Sequence, residues 1–184
     1  MIKNAKSAHT HHLALRVREI AQLFNSMDPT PFLNKDLDPA AESYIETWAS
    51  GFATGGSFHI TIHLEQWPSG DDPGEMLTGA IHNHYRFKAE LARNALKSFL
   101  QLGRMSLLIG VVFVSICLFL ADVIDQFGTP TVHYSIARES LTIVGWVAMW
   151  RPLQIFLYDW WPLQKKVRLY QKLGNAHIKV VQGK

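Results

Sequence analysis

Two long apolar segments dominate the second half of the chain. The first is residues 105–124, MSLLIGVVFVSICLFLADVI, and the second lies within residues 141–161. A helix of about 20 apolar residues, rising about 1.5 Å per residue, matches the hydrocarbon core of a bilayer, which is about 30 Å thick. The pattern therefore predicts a transmembrane hairpin in residues 105–163, with spans near 105–124 and 141–161.

Outside the hairpin, alternation of apolar and polar residues predicts three strands. These are His12–Val17, Phe58–Leu64 and Ala176–Gln182. Residues 28–39 contain three prolines and therefore form a loop.

A short helix is predicted after this loop. Asp38 is placed to cap it and Pro39 to occupy its first position. Its apolar stripe comprises Tyr44, Ile45, Trp48 and Phe52, and we expect the glycines at 55 and 56 to end it.

A much longer helix is predicted from about Pro73 into the first span, because no proline interrupts it. The second span likewise continues to Gly174. The expected fold is a small cytoplasmic α/β (α+β) domain with an inserted two-helix transmembrane hairpin. Residues 1–104 form the domain and the approach to the membrane, and residues 164–184 return to it, so that the third strand pairs with the other two. The connection between the first two strands should be right-handed.

Charge predicts the orientation of the hairpin. The connection 125–139 contains one basic residue, Arg138, whereas nine lie on the two flanks. These are Arg86, Lys88, Arg93, Lys97, Arg104, Lys165, Lys166, Arg168 and Lys172. Because positive flanks stay inside, both termini should be cytoplasmic in a bacterial inner membrane. The flanks, which contribute much of the net charge of +3, indicate contact with anionic lipid headgroups rather than nucleic acid.

The second span contains a charged residue, which is unusual within a membrane-spanning helix. Arg151 lies near its middle, where insertion costs roughly 2.5–3.5 kcal/mol. Pro152 leaves the carbonyl of Ala148 without its usual donor and should kink the helix. Gln154 and Tyr158 extend a polar stripe from Arg151, and Asp159 lies beside it. This stripe is the candidate site for a partner protein or a lipid headgroup.

Two alternatives concern the same span. Arg151 could instead snorkel to the interface, or the helix could break at Pro152 and lie in the interface with Trp150, Trp160 and Trp161 as anchors.

Small residues suggest how the two spans pack. Counting depth from the cytoplasmic ends places Gly145 level with Ala121, and Gly110 level with Phe156. We expect close approach of the backbones at these pairs.

No catalytic residue, metal site or cofactor is predicted. His59 and His63 lie about 13 Å apart along a strand, too far to share an ion. His82 and His84 do not share a helix face, and the His9, His11 and His12 cluster is best explained as a polar terminus. Turn formation and capping explain Asp28 and Asp38, although with Asp36 they could hold a cation or act as an acid and base pair. The single cysteine, Cys117, excludes an internal disulfide.

The segment GWVAMWRPLQIFLYDWWPL with the basic tail RLYQKL, together with RVREIAQLFNSMDPTPF, resembles a family of bacterial hypothetical membrane proteins with a two-span layout. The resemblance implies a bacterial inner-membrane protein and carries over no catalytic residue. The sequence favours a non-enzymatic accessory or assembly subunit that docks on a larger membrane complex. The alternatives are a homo-oligomeric channel or transporter component and a membrane-tethered enzyme.

Overall fold

The structure, a computed structural model, describes residues 10–52, 56–68, 72–127 and 132–183. The chain divides into two compact units. Residues 1–93 and 165–184 form one unit, and residues 94–164 form the other.

The first unit contains a three-stranded parallel sheet. Its strands are β1 (Thr10–Val17), β2 (Ser57–Leu64) and β3 (His177–Gln182), in the order β1-β2-β3. All three predicted strands are confirmed, with their starts shifted by one or two residues. The expectation that β3 pairs with both other strands is wrong, because β2 lies between β1 and β3.

The central position of β2 follows from its composition. Phe58, Ile60, Ile62 and Leu64 are all fully buried on one face, so this strand is the most apolar of the three and takes a neighbour on each side. β-branched and aromatic residues suit such a position because they pack well on a pleated surface.

The short helix α1 runs over Pro39–Ser50 and begins as predicted. The Asp38 carboxylate accepts hydrogen bonds from the backbone N–H groups of Ala40, at 2.9 Å, and Ala41, at 3.4 Å. The end of the helix differs from the prediction, because Gly51 rather than the glycines at 55 and 56 follows its last residue.

The apolar stripe of α1 also differs from the prediction. Ile45 and Ala49 are buried and Trp48 packs against the core, whereas Tyr44 is exposed. Phe52 lies beyond the helix, so it does not extend the helical stripe.

A long helix, α2 (Gly74–Phe127), belongs to both units. The return runs through α3 (Val132–Gln154), a π-helical segment (Ile155–Asp159) and α4 (Trp160–Leu173). The start of α2 and the end of α4 complete the core of the first unit. They supply the buried side chains of Leu77, Ile81, Tyr85, Leu169 and Leu173, as expected.

The second unit is helical and apolar on its surface. Two helices are long and apolar enough to cross a membrane, and in each the most apolar stretch is only 17% buried within the chain. In a water-soluble domain the apolar side of a core helix is mostly buried. The exposed apolar surface of these two helices therefore indicates membrane association.

The register of the hairpin is shifted by about one helical turn from the predicted one. A Cβ added to Gly145 would lie 3.4 Å from Cys117 Cβ, not beside Ala121. One added to Gly110 would lie 3.1 Å from Met149 Sδ and 3.5 Å from Pro152 Cγ. Phe156 instead lies beside Gly103. The reason is the connection: α2 ends at Phe127 and α3 begins at Val132, so only residues 128–131 separate them.

Pro152 lies inside helix α3, and π-helical geometry follows it at Ile155–Asp159. A proline lacks the N–H that would bond to the carbonyl four residues earlier, and wider helical turns are one way of absorbing such a break. Helical structure thus continues through this point to Leu173 without a break in the described chain.

Candidate functional site

The predicted polar stripe lies on an exposed side of the second span. Arg151 is exposed, Tyr158 is 70% exposed, and Gln154 and Asp159 are half-buried. Within the described ranges, the Arg151 guanidinium has no hydrogen-bond or ion-pair partner. Pro152, the next residue, is buried beside Gly110 of α2, so the two side chains point to different surroundings.

A groove of about 400 Å³ runs along the same part of the helix. Its lining comprises Trp150, Leu153, Gln154, Leu157 and Tyr158. The structure therefore brings Gln154 and Tyr158 of the predicted stripe together with one predicted anchor. Large aromatic side chains with a few polar groups are typical of surfaces that bind other proteins.

The three predicted anchor tryptophans have different surroundings. Trp150 and Trp161 are exposed, by 72% and 57%. Trp160 is half-buried, and its indole Nε1 donates a hydrogen bond to the carbonyl of Phe156 at 2.8 Å. Trp160 therefore also satisfies a carbonyl within the π-helical segment.

Sequence reasoning missed a charged cluster in the first unit. Glu42 and Glu46 lie one turn apart on α1 and face His84 and Lys88, one turn apart on α2. Lys88 Nζ donates to Glu42 Oε1 and to Glu46 Oε1, the second at 2.5 Å. Spacing of four residues puts each pair on one helix face, so α1 presents an acidic stripe to a basic stripe of α2.

His84 lies at the centre of this cluster and is only 7% exposed. Its Nδ1 lies 3.1 Å from Asp36 Oδ1, and its Nε2 lies 3.1 Å from Glu42 Oε2. Through these two contacts His84 links the loop, α1 and α2.

The electrostatics of the cluster follow from partial burial and close opposite charges. Burial by itself raises the pKa of Glu42, but the hydrogen bond and charge of Lys88 outweigh it and hold this pKa below its ordinary value. Burial by itself lowers the pKa of Lys88, and its bonds to Glu42 and Glu46 raise this pKa above its ordinary value. The folded state therefore favours the charged forms of both Glu42 and Lys88.

Two tyrosines border the cluster. Tyr170 of α4 donates a hydrogen bond to Glu46 Oε2 at 3.3 Å, and burial together with the Glu46 charge raises its pKa. Tyr85 is fully buried, and its hydroxyl has no hydrogen-bond partner in the described structure. Burial, with the charges of Glu46 and Glu42, also raises the pKa of Tyr85.

A small pocket of about 330 Å³ adjoins the cluster. Glu46 and Tyr170 line it, together with Lys165, Lys166, Thr47, Ser50 and Leu169. Two lysines and two hydroxyl groups can bind an anionic headgroup, and Glu46 is already paired with Lys88. All the lining residues belong to the first unit.

The loop aspartates have separate structural roles. Asp28 accepts hydrogen bonds from the backbone N–H groups of Thr30, at 3.0 Å, and Asp36, at 2.7 Å. The bonds from Asp36 and Thr30 hold the pKa of Asp28 below its ordinary value. Asp38 caps α1, and Asp36 binds His84. Across the described residues, no three His, Cys, Asp or Glu side chains converge as ligands for one metal ion.

The remaining histidines also differ in their contacts. His82 Nε2 donates to the carbonyl of Ala176 at 2.8 Å, whereas His84 binds the carboxylates, so the prediction that they use different helix faces is confirmed. His11 lies on the apolar face of the sheet and stacks on Phe52 with ring centroids 4.2 Å apart. His9 lies outside the described residues.

Comparison with known proteins adds no assignment to this geometry. No protein-family model matches the chain, and no curated protein or solved structure is significantly similar to it.

Proposed function

We propose that this protein is a non-enzymatic accessory or assembly subunit of a bacterial inner-membrane complex, which it joins through the exposed face of its second span. The observation that carries the proposal is Arg151. Its guanidinium is exposed, lacks a partner in the described structure, and adjoins the groove lined by Trp150, Gln154 and Tyr158. At mid-bilayer such a charge costs roughly 2.5–3.5 kcal/mol, so an acceptor from outside the chain stabilises it.

The described residues of the hairpin supply no such acceptor. Pro152 packs beside Gly110 of the first span, and Arg151 projects to other surroundings. A partner carboxylate or backbone carbonyl facing Arg151 can accept two parallel hydrogen bonds from the planar guanidinium. Gln154 and the Tyr158 hydroxyl add donors and acceptors beside it, and Trp150 adds apolar contact area.

In this proposal both termini are cytoplasmic, because the basic residues lie on the flanks of the hairpin. The first unit is then presented to the cytoplasm, and Lys165 and Lys166 bind anionic headgroups or other anions at the pocket beside Glu46.

The test is co-purification from membranes in mild detergent. Parent, Arg151→Leu and Arg151→Lys chains are compared at matched abundance, with Val144→Leu as a control on the exposed side of the same helix. Losing a charged hydrogen bond inside a membrane costs on the order of 1–3 kcal/mol, so Arg151→Leu should recover partner proteins roughly 5- to 150-fold less well. Arg151→Lys should rescue binding only in part, since an ammonium lacks the planar fork.

Three outcomes are distinguishable. Loss of unrelated membrane proteins from Arg151→Leu, but not from Val144→Leu, supports docking. Recovery of only further copies of the chain, lost on the same substitution, identifies a homo-oligomer instead. Equal recovery of other membrane proteins with all four chains would contradict the docking proposal and favour an interfacial or snorkelling role for Arg151.

A further inference from the structure

The open face of the parallel sheet carries a row of three histidines. The register of the strands places His12 of β1 opposite His59 of β2, and His59 opposite His177 of β3. The ring centroids of His12 and His59 are 5.1 Å apart, and those of His59 and His177 are 4.8 Å apart. The three imidazoles therefore lie side by side, with His59 in the middle.

This row lies on the face away from the apolar core. His12 and His177 are exposed and His59 is half-buried, whereas the alternate residues Leu13, Phe58 and Ile178 are buried. In the described chain none of the three rings has a hydrogen-bond or ion-pair partner. Within the described chain their ring nitrogens thus bond to no other protein group.

The neighbouring rows carry the cations Lys179 and Arg16, and Glu65 lines a pocket with Arg16. The two neighbouring rows are Ala14, Thr61 and Lys179, and Arg16, His63 and Val181. Metals bind imidazole in its neutral form.

The spacing of the rings matches that of two histidines on one metal ion. With metal to nitrogen bonds of about 2.0–2.1 Å and tetrahedral angles, the centroids of two imidazoles that bind the same Zn²⁺ lie about 5 Å apart. Both neighbouring pairs in the row meet this condition. The outer rings, His12 and His177, belong to strands on opposite sides of β2 and do not form such a pair.

We propose that the histidine row binds one divalent transition-metal ion of the Zn²⁺, Ni²⁺ or Cu²⁺ class through His59 and either His12 or His177, with water in the remaining positions. Imidazole is a preferred ligand of these metals, and the exposed face leaves room for water. The two alternative pairs share His59, so a single ion cross-links the central strand to one edge strand at a time. The inference is independent of the proposed docking role, since every residue involved belongs to the first unit.

The shared ligand leads to a specific pattern among variants. The untagged full-length chain in detergent is titrated with Zn²⁺ alone, by calorimetry or by competition with a chelating dye. His59→Ala and the double variant His12→Ala with His177→Ala should each weaken binding about 100-fold, because no pair remains to bind intramolecularly. His12→Ala and His177→Ala alone should each weaken it only about twofold, since one of two equivalent pairs survives. His63→Ala, on the same face but outside the row, should bind like the parent.

Folding is checked separately from metal binding. Each variant is compared with the parent for hydrogen exchange of the β2 amides in metal-free buffer, and His59→Gln replaces His59→Ala if the latter exchanges faster. Parent-like affinity in a folded His59 variant overturns the proposal. So does an equal loss on removing His63, which would indicate diffuse binding to surface histidines, or a 100-fold loss from either outer variant alone, which would indicate a three-ligand site.

Discussion

Lys88 is predicted to stabilise the first unit by joining α2 to α1. It bridges Glu42 and Glu46 of α1 from α2, and the three side chains are 21%, 26% and 25% exposed. Replacing Lys88 by Met keeps the length and the apolar stem of the side chain but leaves both carboxylates without their cation. Breaking a fully buried pair costs about 3–5 kcal/mol, and an exposed pair about 0–1 kcal/mol. For this partly exposed bridge we expect a loss of about 2 kcal/mol.

Hydrogen exchange of the β2 amides in the full-length chain measures this loss within the first unit. A cost of about 2 kcal/mol corresponds to exchange roughly 30-fold faster than in the parent at the same pH. Lys97→Met is the matched control, because Lys97 is an exposed lysine of the same helix with no ion-pair partner in the described chain. Its exchange should equal that of the parent.

The pH dependence has a definite sign. Folding lowers the pKa of Glu42. The ionised Glu42 therefore stabilises the fold at pH values above its ordinary pKa of 4.5, and this stabilisation is lost as the pH falls through the lower pKa of the folded state. Folding raises the pKa of Lys88. The protonated Lys88 therefore stabilises the fold at pH values below its ordinary pKa of 10.5, and this stabilisation is lost as the pH rises through the higher pKa of the folded state. The difference between parent and Lys88→Met should therefore be full at pH near 6 and shrink toward pH near 3.

Two results would refute this reasoning. Unchanged β2 exchange in Lys88→Met would show that the bridge contributes nothing measurable. Equal effects of Lys88→Met in the parent and in a Glu46→Gln background would show that the two residues are not coupled, whereas contact predicts a coupling of about 1 kcal/mol.

Two further predictions concern the buried tyrosine and the hairpin. Tyr85→Phe removes a buried hydroxyl without a partner, so β2 exchange should slow by up to about fivefold, a gain of about 1 kcal/mol, and faster exchange would reveal a partner for that hydroxyl. Gly145→Cys should form a disulfide with the native Cys117 on oxidation in membranes, because the two Cβ atoms would lie 3.4 Å apart. A Cys117→Ser chain with cysteines at 121 and 145 is the control, and crosslinking there but not at 117 would restore the originally predicted register.

The elements of this fold could be predicted from the sequence because each depends on a local pattern. The alternation in Phe58–Leu64, the cap at Asp38 and the uninterrupted helix through the first span are all properties of neighbouring residues. The order of the strands was harder, because which strand is central depends on packing of the whole sheet. The predicted hairpin register was wrong for a similar reason. The register depends on where the two helices end, and the apolar pattern gives those ends only approximately.

The charged cluster had a signal in the sequence that was not used. Glu42 with Glu46, and His84 with Lys88, are pairs at helical spacing with complementary charge. The sequence signal for the histidine row was weaker. Each of its members occupies a polar position of a strand, but only the parallel register shows that these positions are aligned.

The place of β3 in the sheet has a consequence for biosynthesis. During synthesis β1 and β2 emerge first. One edge of β2 stays unpaired until β3, which follows the entire hairpin, has been synthesised. Unpaired strand edges can pair with other chains, so the incomplete sheet is prone to aggregation during this interval. The two long helices between β2 and β3 bring the chain back, and β3 then closes that edge. Completion of the sheet thus depends on completion of the hairpin, and a chain whose hairpin does not form keeps an open β2 edge.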